Sequence, residues 1–258
     1  MKSIYTLLSR KIRKTNDYSK PLDNNEWSAH YNIDSLNSVV NAVSSNNVSI
    51  WSEELVKICP EGSSTLEIGC GSGASSLWLA KNGRNVTALD YTESSVELVR
   101  AAASRLGFKD LNVVHCDAAK ELPFGEKQFD YIFQAGLLEH FETDQQIRLL
   151  RNWAKYGKYM ISMIPNASSI PYRVGKQIME NNGTWEYGLE IPKHSLQEEF
   201  TRAGITVEKE YTIGSRCAQN FLPKRHFIKK FFAKLEKDGY NLDDLMQGYL
   251  LVTIGKCD

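Results

Sequence analysis

The sequence predicts an α/β fold, a mostly parallel sheet with helices on both faces. Three observations carry this. Strand and helix candidates alternate from residue 64 to residue 164, the order that builds parallel sheets. The first strand candidate runs into Gly69-Cys70-Gly71-Ser72-Gly73, with glycine at every second position, and a helix-compatible run follows. The second strand candidate ends on a carboxylate, Asp90.

Taken in order, residues 36–58 have helical periodicity and precede the first strand. The core then reads strand 64–68, helix 73–82, strand 85–89, helix 93–106, strand 111–115, strand 129–134, helix 143–155 and strand 158–164. Thr92 is the N-cap candidate of helix 93–106, and Gly107 stops it. Strand 129–134 has only a loop through Pro123 and Gly125 before it, not a full helix. His194 to Ala203 is a further helix, closed by Gly204, and 205–213 and 248–256 are the last strands. Two segments exceed this core, 165–192 and 214–246. No internal repeat or low-complexity tract is visible.

The loop chemistry narrows the ligand. Glycines let a backbone turn sharply and approach a ligand, because no Cβ stands in the way. The helix that follows presents its free N–H groups, which favours an anionic group there. The dinucleotide fingerprint needs G-x-G-x-x-G. Counted from Gly71 and Gly73, its third glycine position is Ser76. Asp90 lies far enough beyond Gly73 for one helix and one return strand, and a carboxylate at that strand tip can accept from both ribose hydroxyls.

Composition bounds the class. A chain of 258 residues can bury one good core without a second domain. Lys plus Arg and Asp plus Glu are both 31, so a dedicated nucleic-acid binder is not expected. Cys59, Cys70, Cys116, Cys217 and Cys257 are scattered without metal-ligand spacing, so neither a metal site nor a disulfide framework is expected. Reduced thiols and the lack of a signal-like or membrane-spanning apolar run imply a cytoplasmic protein. Residues 1–20 are basic, with Ile4, Leu7, Leu8 and Ile12 at helical spacing. They read as an amphipathic helix packing on its own domain, in preference to a membrane-surface helix. Residues 223–237 take the same reading, with their aromatics over the mouth of the site.

The ordered set Leu66-Glu67-Ile68-Gly69-Cys70-Gly71-Ser72-Gly73, Asp90, Cys116-Asp117-Ala118, Leu122-Pro123-Phe124, Phe129-Asp130-Tyr131-Ile132-Phe133 and Leu137-Leu138-Glu139-His140 lies within residues 65–141. It resembles the ubiquinone/menaquinone-type branch of the class I S-adenosylmethionine-dependent methyltransferases. The resemblance implies a seven-stranded Rossmann-like sheet whose last two strands form an antiparallel pair at one edge. It implies a helical cap or lid over residues 1–60 and a methyltransferase domain over 61–258, with insertions at 165–192 and 214–246. The cofactor would be S-adenosyl-L-methionine, leaving as S-adenosyl-L-homocysteine.

Carried onto this chain, Gly69, Cys70, Gly71 and Gly73 would line the methionine and sugar, and Glu67 would face the methionine amino group or brace the loop. Asp90 would take the ribose hydroxyls and Tyr91 would pack on the adenine. Asp117 would accept from the adenine amine, with Ala118 beside it, or cap a helix. Gln134 and Ala135 would lie near the methionine. Trp27-Ser28-Ala29-His30-Tyr31 is similar to the aromatic segment that closes over the cofactor, which makes Tyr31 a lid residue. Glu139 and His140 are the catalytic candidates, with a structural role as the alternative. His30, His194 and Glu186 are further candidate bases.

The acceptor would be recognised by Tyr172, Arg173, Trp185 and Tyr187, because the 165–192 segment leaves the carboxyl edge of the sheet, where ligands bind. The Asn/Asp-Pro-Pro-aromatic pattern of nucleic-acid amino-methyltransferases is absent from Gln134-Ala135-Gly136-Leu137, and no Pro-Cys pair follows. Methyl transfer to oxygen or nitrogen of a small or medium-sized acceptor is therefore expected. The alternatives are a cofactor-binding partner without catalysis and an RNA or protein methyltransferase using the basic segments.

Overall fold

The computed structural model describes residues 18–258. The amphipathic stretch expected at the N-terminus lies, up to residue 17, outside the described residues. Three short helices precede the sheet: α1 (Asn24–His30), α2 (Leu36–Ser44) and α3 (Ile50–Ile58). A capping box between Asp23 and Glu26 starts α1. The region expected as one helical stretch over 36–58 is broken in two. Asn46 takes a left-handed φ of 58°, and the Ser49 hydroxyl accepts from Ser52 N to start α3.

The alternating core follows: β1 (Ser64–Ile68), α4 (Ala74–Lys81), β2 (Asn85–Asp90), α5 (Glu93–Leu106), β3 (Asn112–His115), β4 (Phe129–Ala135), α6 (Thr143–Trp153) and β5 (Gly157–Pro165). Then come α7 (Ile170–Asn181), α8 (Gln197–Ala203), β6 (Ile205–Ile213), α9 (Ser215–Ala218), α10 (Phe227–Lys237), α11 (Leu242–Leu245) and β7 (Leu250–Cys257). The seven strands form one sheet in the order β3-β2-β1-β4-β5-β7-β6. β1 to β5 are parallel, and β7 runs antiparallel to both its neighbours. The expected antiparallel pair is present, with β7 inserted beside β5 and β6 outermost.

Successive side chains on a strand face opposite ways, so the central strands feed two cores. Leu66, Ile68, Ile132 and Met160 pack with Trp153 of α6 and Phe200 of α8. Phe133 and Ile161 pack with Leu55 of α3 and Leu79 of α4. Val39 and Val43 of α2 pack with Leu77 and Ala102, so α2 and α3 both lean on the helices and sheet of the core.

Two local readings change. Thr92 makes no capping bond to α5. Its hydroxyl donates instead to Asp90 Oδ1 at 2.9 Å, since the adjacent buried carboxylate is the stronger acceptor, and pairs with the Ser95 hydroxyl at 2.6 Å. The segment after β5 contains a full helix, α7, with Pro171 in its first turn, where a missing N–H costs nothing.

The strand order reverses between β1 and β4, which opens a crevice at the carboxyl ends of the strands. The loops after β1, β2 and β4 converge there. Pro165 at the end of β5 pairs with Leu250 at the start of β7, so the antiparallel strand brings Tyr249 to the same edge. No helix among the described residues is long and apolar enough to cross a membrane.

Candidate active site

A cavity of about 420 Å³ occupies this crevice, within the size range of small-molecule sites. Its floor is the loop after β1. Gly69, Gly71 and Gly73 have φ of 68°, 50° and 67°, a region that side chains resist. Each glycine also has its own steric reason. A Cβ on Gly73 would stand 2.4 Å from Val99 of α5, one on Gly69 would meet Leu137 at 2.8 Å, and one on Gly71 would meet the Tyr31 ring at 2.9 Å.

Two buried carboxylates hold the loop. Asp90 Oδ2 accepts from Gly71 N at 2.8 Å, while Oδ1 accepts from Thr92 N and Thr92 Oγ1, both at 2.9 Å. Glu67 Oε2 accepts from Ser76 N at 3.1 Å and Ser76 Oγ at 2.5 Å. The position that would be glycine in a dinucleotide motif is thus a hydroxyl that braces Glu67. Burial lifts the Glu67 carboxyl to about 8 despite these bonds, and nearby Asp90 adds to the rise.

Aromatic rings wall the cavity. Trp27 and Tyr31 of the N-terminal segment stack with centroids 6.1 Å apart. His30 stacks on Tyr187 at 5.6 Å and its Nε2 lies 3.0 Å from the Glu186 carbonyl, which ties α1 to the segment after α7. Trp185 meets Tyr187 edge-on, and Trp51 meets Tyr249 in the same way. Burial raises the Tyr31 hydroxyl to about 12, with Tyr187 and Asp90 contributing.

Glu139 and His140 lie on a short 3-10 turn, Leu138–His140, at the cavity wall. His140 Nδ1–H donates to the Leu189 carbonyl, and the ring meets Trp27 edge-on at 5.1 Å. Burial lowers its pKa. Glu139 is 2% exposed, and its Oε2 has no hydrogen-bond partner. Burial raises Glu139 to about 8 and Glu190, on the facing segment, to about 9.

Of the expected residues, the cavity brings together Tyr31, Glu67, Gly69, Cys70, Gly71 and Asp90 with Tyr91, Ala135, Glu139, His140, Trp185 and Tyr187. The remaining expected residues lie outside its lining. Gly73 packs under α5. Asp117 Oδ1 accepts from Ala119 N at 2.9 Å and pairs with Lys120 at 3.5 Å, so it shapes its own turn. The Ala118 carbonyl accepts from Trp153 Nε1 at 2.8 Å. Gln134 Oε1 accepts from Leu137 N and Leu138 N at 2.9 and 3.0 Å, which forms the turn that carries Glu139.

Tyr172 and Arg173 are corrected. α7 turns Pro171, Tyr172, Gly175 and Lys176 inward. Tyr172 is fully buried behind the wall, against Phe221 at 5.0 Å and Tyr249 at 5.1 Å, and Arg173, one residue on, faces solvent. His194 pairs with Ser168 at 2.8 Å away from the cavity. The aromatics of α10 do not cover the mouth either: Phe227 and Phe231 are exposed, because the helix buries no residue.

Sequence reasoning missed Trp51, Glu190, Phe221 and Tyr249, all of which line the cavity. For Tyr249 a signal existed: the residue just before an antiparallel strand beside β5 must sit at the ligand edge. Glu190 stands in an irregular segment and Phe221 at the end of a short 3-10 turn, with no pattern to mark them.

The buried carboxyls predict a pH dependence. A carboxyl raised in the folded state keeps a proton that the unfolded chain gives up near its ordinary value of 4.5. Stability therefore falls as pH rises from there and levels off above about 8 to 9. His140, lowered from 6.5, works in the opposite sense but only below 6.5. Melting of the ligand-free protein followed by circular dichroism should show Tm falling between pH 6.5 and 9. A flat or rising Tm over that window would contradict these placements.

The geometry agrees with comparisons to known proteins. A family described as a methyltransferase domain matches residues 65–158. Over 159 residues the chain is 33% identical to the ubiquinone biosynthesis O-methyltransferase of Coxiella burnetii, covering 58% of this chain and 66% of that protein. It is 28% identical over 152 residues to the Rickettsia canadensis protein of the same name, covering 56% of this chain and 63% of the relative. The chain thus spans less than two thirds of the length of these relatives. The solved structure of a SAM-dependent methyltransferase from Aquifex aeolicus shares the fold, with a TM-score of 0.52 at 17% identity over 80% of this chain and 89% of that one. Motif order, sheet topology and family match agree: residues 65–158 match a methyltransferase domain, and the sheet has the fold of a solved SAM-dependent methyltransferase.

Proposed function

We propose that the chain transfers the methyl group of S-adenosylmethionine to an oxygen or nitrogen of a small or medium-sized acceptor bound in the aromatic part of the same cavity. The observation that carries this reading is that the glycine loop, Asp90 and the Glu139 turn open into one chamber roofed by rings. When bound, the cofactor supplies a methyl group already activated on a sulfonium.

The chain's own residues fit it. Asp90 keeps one unused lone pair, on Oδ2, for a ribose hydroxyl, and Tyr91, 37% exposed beside it, offers a flat face for a base. The Cβ-free edge of Gly71 lets backbone approach the ligand. Tyr31 and Trp27 cover the loop from above and exclude water, which strengthens every polar contact beneath them. The acceptor must lie in line with the methyl group, and the fixed Glu139 turn and the Trp185–Tyr187 segment are the parts placed to orient it. Glu139, His140 and Tyr187 are the groups able to move a proton there.

The test is transfer of label from methyl-labelled S-adenosylmethionine to a panel of small phenols, carboxylates and amines. Labelled product with at least one panel member, and none with RNA or protein, is expected. Label appearing only in macromolecules would overturn the reading.

A further inference from the structure

Besides the loop carboxylates, the cavity takes in Glu139 and Glu190. The two are fixed side by side through their backbones: Ile191 N donates to the Glu139 carbonyl at 2.8 Å, and the Leu189 carbonyl accepts from His140. Glu139 Oε2 and Glu190 Oε1 are both buried without a hydrogen-bond partner. Among the described residues no cationic side chain forms an ion pair with either. The buried ammonium of Lys176 is committed to Glu180 and lies over the Trp185 ring at 4.6 Å.

Two carboxyls that each bury an unpartnered oxygen at one cavity are costly, and burial pushes both far above the usual carboxylate range. A ligand that brings several donors and a positive charge offsets that cost. A neutral hydroxyl brings one O–H and leaves the second carboxyl as it was. The surrounding faces of Trp51, Trp185, Tyr187 and Tyr249 favour the same ligand, since ring faces attract cations.

Resting on the reading above, we propose that Glu139 and Glu190 form the acceptor recognition site, and that the acceptor is an amine arriving as its ammonium ion. Bound there, the ammonium donates N–H groups to both carboxylates. One N–H bond then breaks as an O–H bond forms on the Glu139 or Glu190 carboxylate, and the nitrogen keeps the lone pair that makes it a nucleophile. The assignment explains why the carboxyls stand among rings with no ion-pair partner among the described residues.

The test is titration calorimetry on the full chain saturated with S-adenosylhomocysteine, which lacks the sulfonium charge. The probes are phenethylamine, N-methylphenethylamine and benzylamine, their isosteric alcohols, and catechol. At least one amine should bind at least about tenfold more tightly than its alcohol and than catechol. Glu190→Gln should weaken that amine by about tenfold or more while S-adenosylhomocysteine affinity stays within about twofold. Glu139→Gln, read the same way, covers the case in which the first variant does not fold.

Catechol or the alcohols binding as well as the amines, or no amine binding at all, would overturn the proposal. So would variants that weaken S-adenosylmethionine alone, because the carboxyls would then serve the sulfonium. If the wild-type chain does not bind S-adenosylhomocysteine in the first titration, the reading of the cavity as a methyl-transfer site fails instead.

Discussion

Gly71→Val is expected to abolish measurable cofactor binding, with a loss of at least about a hundredfold, or roughly 3 kcal/mol. Gly71 stands at φ 50°, where a β-branched residue is strained by about 1–3 kcal/mol. Its Cβ would come within 2.9–3.2 Å of three Tyr31 ring atoms, so the lid ring must lift or the loop must move. Either shift also disturbs the Gly71 N–H bond to Asp90. The measurement is calorimetric titration with S-adenosylhomocysteine. Gly107→Ala is the control, since a Cβ there meets nothing within 4 Å although φ is 79°. Normal binding by a folded Gly71→Val protein would mean that the cofactor does not approach this backbone.

Asp90→Ala is expected to damage both binding and stability. The carboxylate is 5% exposed and accepts from Gly71 N, Thr92 N and Thr92 Oγ1. Thr92 Oγ1 retains Ser95 as a partner, but the two N–H groups do not gain another. Unpaired buried donors cost about 1–3 kcal/mol each, and lost ribose contacts cost a similar amount of binding energy. Cofactor affinity should fall by at least about tenfold and Tm by several degrees. From the sequence alone, Asp90 reads only as a ribose acceptor; the structure adds that it braces the glycine loop. Asp90→Asn, which keeps one acceptor oxygen, should lose less stability than Asp90→Ala. Equal cofactor affinity in wild type and Asp90→Ala would place the ribose elsewhere.

The glycine-loop half of the cavity, proposed for the cofactor, is legible in the sequence because it lies on short-range, regular elements. The strand that ends at Ile68, the glycine turn and the carboxylate at the tip of β2 follow from periodicity and spacing. β6 and α5 keep their expected ends for the same reason. The other half, proposed for the acceptor, is assembled from Trp51 in the first turn of α3, Trp185 and Glu190 after α7, Phe221 after α9, and Tyr249 before β7. These come from segments far apart in sequence whose meeting depends on tertiary packing, and no local pattern records it.

Tyr172 and Arg173 show the limit clearly. Reading 165–192 as a loop makes every polar or aromatic residue in it a candidate. A helix starting at Ile170 instead assigns each residue to a face, so Tyr172 goes inside and Arg173 outside. The prolines that signal a loop are also compatible with a helix start. Gln134, near the end of β4, and Asp117, in the turn after β3, have side chains that bond to nearby backbone N–H groups, which shapes the turns around the site.

The most direct test of the central claim is calorimetric titration of the wild-type chain with S-adenosylhomocysteine. One site with a dissociation constant in the micromolar range, about −8 kcal/mol, is the predicted result. No heat with S-adenosylhomocysteine or S-adenosylmethionine, together with binding of a nicotinamide dinucleotide, would contradict the account.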